Sequence, residues 1–234
     1  MNVKTPHTDD TLVEALDQIL SNRWSCRAFL PKTVPEGTIT KILQIAQKTA
    51  SWNNTQPWQL DITSGAATEK FRSALLNHIN SGSAAGPHFA FPREYAGIYK
   101  DRRRACGFSL YEAVGIQRGD KPAYARQTRR NFEFFDAPHV AIISSEDALG
   151  TYGAVDCGAY VSNFMLAASS LNVATIAQGA LANYSDFIRE YLGWPESRNL
   201  VCGISFGYAD KDDPSNNFRT TRADLGEVVR FVTD

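Results

Sequence analysis

The chain has no C-x-x-C pair, no H-E-x-x-H sequence, no G-x-x-x-x-G-K-[ST] loop and no G-x-G-x-x-G fingerprint. These absences remove a zinc ribbon, a zinc protease, a P-loop and a dinucleotide-binding βαβ unit from consideration. The cysteines, Cys26, Cys106, Cys157 and Cys202, are scattered, and no histidine (His7, His78, His88, His139) lies near one at metal-ligand spacing. Isolated thiols of this kind fit a reducing compartment, and no metal site is expected. A net charge of −1 gives no polyanion-binding surface, so no nucleic-acid partner is expected. The basic clusters Arg102-Arg103-Arg104 and Arg126 to Arg130 have acidic or polar neighbours and read as solvated helix faces. There is no long apolar run. The stretch from Val155 to Val173 is broken by Asp156, Asn163 and several serines and reads as a buried helix, not a membrane span. Residues Met1 to Asp10 are polar and lack an apolar signal core, so the expectation is a cytoplasmic protein.

What is present is a core-forming composition, 43% hydrophobic over 234 residues, without internal repeats or a composition break. That size suits a single domain over 1–234. Asp9-Asp10 can cap a first helix, whose apolar face is Leu12, Ala15, Leu16 and Ile19. It ends near Ser21-Asn22. Pro35 suits the first turn of a second helix, with Ile39, Ile42, Leu43 and Ala46 facing inwards. Trp58 to Thr63 alternates with period two and reads as a half-buried strand. Phe71, Leu75, Leu76 and Ile79 mark another helix. The run His139 to Ser144 reads as a central strand, Ala154 to Leu171 as a long helix, and Leu200 to Tyr208 as a late core strand. Val228 to Val232 reads as a further strand with no room in its own chain, able to pair with another subunit. Residues 81–131 hold many aromatics with little periodicity. They are expected to form an insertion of short helices and loops that either shapes a pocket or covers a sheet edge.

Three stretches carry the chemistry. In an extended segment Arg23, Ser25 and Arg27 share one face, set against Trp24, Cys26 and Ala28. Two guanidinium groups and a hydroxyl on one face make a phosphate reader, or else a salt-bridged surface strand. Ser51-Trp52-Asn53-Asn54-Thr55-Gln56-Pro57-Trp58 joins amides, a hydroxyl and flat aromatics between two rigid elements; it is a ligand loop or an ordinary surface turn. In Ala177-Gln178-Gly179 the glycine either lets a ligand approach the backbone or marks a plain turn.

Taken with Arg222-Ala-Asp-Leu-Gly-Glu-Val-Val, this ordered set resembles the FMN-dependent nitroreductase family from about residue 12 to 232. The resemblance implies an α+β fold, with a mostly antiparallel central sheet surrounded by helices, in a domain-swapped homodimer holding FMN at the subunit interface. It implies hydride transfer from NADH or NADPH through the flavin to nitroaromatic or quinone-like acceptors by a ping-pong mechanism, with a small aromatic substrate. Related flavoproteins remove halogen from aromatic rings or reduce enones, and a non-catalytic flavin-binding module is a further alternative. Carried over by residue, Arg23 and Arg222 hold the phosphate and Arg219 is a further phosphate candidate. Trp24 and Ser25 accompany them, with Ser25 near the ribityl chain or ring, and Arg27 sits by the pyrimidine edge. Ser51, Asn54 and Gln56 reach the flavin from the partner subunit. Ala177 and the backbone of Gln178 and Gly179 approach N5 and O4. The chemistry is expected at flavin N5, with no catalytic side chain required. Ala50, Trp52 and Gln178 depart from common family choices, and Trp52 and Gln178 are expected to alter which substrates fit.

Overall fold

A computed structural model describes residues 10–233. The proposed cap at Asp9, His7 and the stretch Met1 to Asp9 lie outside the described residues. Four strands, β1 (Gln59–Ser64), β2 (His139–Glu146), β3 (Ala174–Gln178) and β4 (Arg198–Gly207), form one antiparallel sheet in the order β1-β2-β4-β3. β2 and β4 are central, paired from His139↔Phe206 to Glu146↔Arg198 with a bulge at Ile143/Ser144.

The helices are α1 (Asp10–Asn22), α2 (Glu36–Ala46), α3 (Ala66–Asn80), α4 (Gly97–Ala113), α5 (Lys121–Arg129), α6 (Gly150–Ser170), α7 (Ser185–Tyr191) and α8 (Leu225–Val228). Alternate residues of β2 point to opposite faces. Ala141 and Ile143 meet Ile42 of α2 and Tyr160 and Phe164 of α6, while Val140 and Ile142 meet Phe71 and Leu75 of α3 and Ile188 of α7. With both faces covered, seven of the eight β2 residues are buried, which is why its sequence is an apolar run rather than an alternation. β1, at the sheet edge, alternates in sequence but is evenly half-buried up to Thr63. Trp58, just before it, stacks on Tyr160 at 4.9 Å and donates to Gln47 Oε1.

Several boundaries differ from expectation. Pro35 is the N-cap of α2, not its first turn, and α2 stops at Ala46. The Thr49 hydroxyl bonds Ala46 O, closing the turn that follows. α6 starts at Gly150, four residues before the expected Ala154, and Asn172 follows its end with φ +57°. The insertion is not only short pieces: α4 has 17 residues, none of them buried within this chain. Val228 to Val232 forms no strand; after the single turn of α8 it runs exposed, Phe231 at 81% and Val232 at 74%. A strand needs hydrogen-bonding neighbours, and among the described residues no other strand reaches it. The apolar face of α1 is equally bare, with Leu12 68% and Leu16 55% exposed. No helix among the described residues is long and apolar enough to cross a membrane.

Candidate functional site

The segment from Arg23 to Phe29 is extended. It lies parallel to β3 through the Ser25↔Thr175 bridge, and Cys26 N–H donates to Thr175 O at 3.0 Å. Cys26 and Ala28 turn inwards with Phe29, against Phe135, Ala137 and Ile176. Arg23, Ser25 and Arg27 therefore face the other way, as their alternation predicts. They line a cavity of about 780 Å³ together with Trp24, Arg219 and Arg222. Two distant parts of the chain thus converge on one space of ligand size.

The cavity is strongly cationic. Arg23, Arg27, Arg219 and Arg222 all border it, no carboxylate does, and none of the four makes an ion pair among the described residues. Burial and the nearby Arg222 guanidinium both hold Arg23 below its ordinary pKa. Burial does the same to Arg27. Arginine keeps its proton nonetheless, so the site holds unneutralised positive charge. Arg219 lies over the Trp24 ring at 4.1 Å and donates to Asn216 O and Phe218 O. Arg27 sits 5.0 Å over the Phe218 ring and donates to Ser25 O. A second cavity of about 610 Å³ shares Arg23, Trp24 and Arg219 and adds Lys211.

Ala177 and Gly179 are exposed on either side of buried Gln178. Gly179 does not have a positive φ, and a Cβ built there would meet nothing within 4 Å. Neither turn geometry nor packing within this chain explains the glycine. Gly179 also opens a short 3-10 helix, Gly179–Asn183, where N–H groups lack intrahelical acceptors. Contrary to expectation, the Gln178 side chain points into the protein. Its Nε2 donates to Asn131 O at 2.7 Å and its Oε1 accepts from Ser205 Oγ.

Ser51, Asn54 and Gln56 are not beside the arginines in the single chain; none lines that cavity. Their loop has three left-handed residues, Asn53 (φ +50°), Asn54 (φ +57°) and Gln56 (φ +47°). It is braced by Gln56 N–H to Ser51 Oγ and by Trp52 N–H to Asp156 Oδ2. Backbone held in such sparsely populated conformations is typical of ligand-binding loops.

The comparisons with known proteins decide the identity. The nitroreductase family profile matches residues 20–208. This chain belongs to the nitroreductase family. It is 35% identical to nitroreductase NfnB of Mycolicibacterium smegmatis, over 99% of both chains. It is 32% identical to a 4-nitrobenzoate reductase of Pseudomonas putida, over 94% of this chain and 97% of that one. The crystal structure of FMN-dependent NfnB from Mycobacterium smegmatis in complex with NADPH matches with a TM-score of 0.90 at 34% identity, covering 95% of this chain and 100% of that one. The fold is accordingly the nitroreductase α+β fold, an antiparallel sheet surrounded by helices.

For a nitroreductase, the observed residues suit an FMN phosphate and ring: unpaired guanidinium groups for a dianion, and open space at Gly179 for a flat ring. Other residues of this site were missed from sequence. Cys106 of α4, Ser162 and Met165 of α6, and Phe218 are also part of the cavity wall. Asn216 is buried and clamps the two converging segments, accepting from Arg27 N–H and donating to Ala28 O and Asp210 O. A lone asparagine in a polar tail gives no sequence signal for that role.

Proposed function

We propose that this nitroreductase is an FMN-dependent enzyme that passes hydride from NAD(P)H to nitroaromatic or quinone-like acceptors in ping-pong turnover, as a cytoplasmic homodimer. The observation that carries the reading is the cavity with four arginines and no carboxylate. Burial and the neighbouring Arg222 guanidinium both depress Arg23; a bound dianion relieves the repulsion between the two, and arginine grips phosphate oxygens in a fork. FMN, when bound, supplies the hydride-accepting and hydride-donating centre.

Within that reading Arg23 and Arg222 hold the phosphate, aided by Arg219. Trp24 fixes Arg219 by stacking. Ser25 lies beside the ribityl chain, and Arg27 sets positive charge at the pyrimidine edge, where it favours the reduced flavin. Ala177 and the backbone of Gln178 and Gly179 meet the N5 edge. The adjoining cavity, with Lys211, offers cationic ground for the phosphates of the dinucleotide.

Ser51, Asn54 and Gln56 are supplied by the second subunit. Two features support the dimer: that loop stands away from the arginines in one chain, and large apolar surfaces are left bare on α1 and along Leu225 to Val232. The chain is one domain. Its insertion, 81–131, covers the site, a reading supported by Cys106 of α4 in the cavity wall. The free thiols suit a reducing cytoplasm.

The test of function is anaerobic stopped-flow. Protein reduced by NADPH is mixed with 4-nitrobenzoate, a quinone or a halophenol. Fast reoxidation by the first two supports the reading; reoxidation by the halophenol alone, or by none, refutes it.

A further inference from the structure

We propose that Gln178 is a positioning residue for the cofactor, tying the end of the insertion to the backbone edge that meets the flavin. The proposal rests on the FMN reading above.

Gln178 closes β3, and its side chain is buried to 2% exposure. Both ends of its amide are committed, Nε2 to the Asn131 carbonyl and Oε1 to the Ser205 hydroxyl. Ser205 lies in β4, paired with Ile176. Asn131 stands just past α5, at the end of the insertion. One buried side chain therefore links β3, β4 and the end of the insertion. An amide suits this place because one end donates and the other accepts. A carboxylate there would set a negative oxygen against the Asn131 carbonyl, with no donor to give unless protonated.

What the tie controls is the main chain. Gln178 has φ −128° and ψ 90°, which leaves ψ about 45° short of the roughly 135° usual in antiparallel strands. The 178–179 peptide is thus rotated away from the ladder at the point where β3 gives way to the 3-10 helix. On either side, Ala177 and Gly179 are exposed, and Gly179 has open space where a side chain would be. The segment on the far side of the tie is itself strained. Phe134 (φ +54°), Phe135 (φ +52°) and Asp136 (φ +62°) are consecutive left-handed residues, none of them glycine. They are held by Arg72, which donates to Glu133 O and Ala137 O, and by the Arg130–Asp136 ion pair. Strain of this kind persists only where the surroundings over-determine it. Gln178 makes the position of that segment felt at the N–H of Gly179.

The experiment compares Gln178→Leu, Gln178→Glu and Ser205→Ala with wild type. Three quantities are read: hydrogen exchange in the FMN-free protein, FMN affinity, and the flavin midpoint potential. We expect faster exchange at Gly179 to Leu181 and at Phe132 to Ala137 in Gln178→Leu. We also expect FMN affinity to fall about tenfold or more, as for loss of a buried hydrogen bond, with a shift in potential. Ser205→Ala, which touches no cofactor and keeps the Asn131 bond, moves the same readings less far. Gln178→Glu binds FMN as wild type does at low pH, when the protonated carboxyl regains a donor, and weakly at high pH. The proposal is overturned if folded Gln178→Leu or Ser205→Ala loses thermal stability alone, with exchange at Gly179, FMN affinity and potential unchanged. If Gln178→Leu does not fold, Ser205→Ala decides. Wild type that binds no FMN would sink the cofactor reading instead, leaving the exchange comparison to judge the tie.

Discussion

The backbone N–H of Arg27 donates to Asn216 Oδ1 at 2.7 Å, joining residues 189 apart in the chain. The same side chain donates to Ala28 O and Asp210 O, so one asparagine fixes where the N-terminal arginines meet the C-terminal ones. Asn216→Leu leaves three backbone groups without that partner. At about 1–3 kcal/mol for a buried group left unpaired, partly offset by water, a loss of roughly 2–4 kcal/mol is expected. Urea unfolding measures it, and FMN affinity should fall in parallel.

Thiol chemistry should single out one cysteine. Burial pushes Cys26, Cys157 and Cys202 up to about 12, which keeps them as inert thiols at neutral pH. Cys106 borders the arginine cavity and is partly open. Limited alkylation followed by peptide mass mapping should label Cys106 first, and added FMN should protect it. Labelling that FMN leaves unchanged would move the cofactor away from α4.

His139 should make the protein less stable in acid. Its Nε2 accepts from Val34 N–H at 2.8 Å, which places the ring hydrogen on Nδ1, where it has no partner among the described residues. Burial lowers its pKa in the fold, while the unfolded chain titrates near 6.5. Below about 6.5 the unfolded state therefore binds more protons, and stability drops as pH falls; above it the contribution is complete. Melting curves from pH 8 to 5 test this. His139→Gln should be less stable at pH 8 and show a shallower loss in acid.

Lys211→Ala should separate the two ligands. Lys211 borders the cavity of about 610 Å³ and not the arginine cavity. KM for NADPH should rise severalfold while FMN retention and the oxidative half-reaction with 4-nitrobenzoate stay unchanged. An equal effect on FMN retention would merge the two cavities into one site.

Legibility from sequence followed the physics of each segment. β2 and α6 were plain because an apolar run and a helical period report burial inside the same chain. The shared face of Arg23, Ser25 and Arg27 followed from strand alternation, and the structure has it. α4 was not readable at its full 17 residues because it buries nothing in its own chain and so has no amphipathic stripe. Val228 to Val232 has strand composition and pairs with no strand among the described residues; the partner expected for it belongs to a second subunit. The direction of the Gln178 side chain was also beyond reach. Alternation gives a face, and both neighbours of Gln178 are exposed, yet only tertiary contacts reveal that Asn131 and Ser205 wait on the buried side. The left-handed run at 134–136 involves no glycine, so no turn signal announced it.

Guanidinium groups from both ends of the chain are proposed to hold a phosphate. The direct measurement is a titration of flavin-stripped protein with FMN and with riboflavin, which lacks the phosphate. Wild type should bind FMN at least about a hundredfold more tightly, as expected for two charge-assisted contacts of about 1.5–3 kcal/mol each. In Arg23→Ala/Arg222→Ala that preference should collapse. Equal affinity for the two flavins in wild type, or a preference untouched in the double variant, would contradict it.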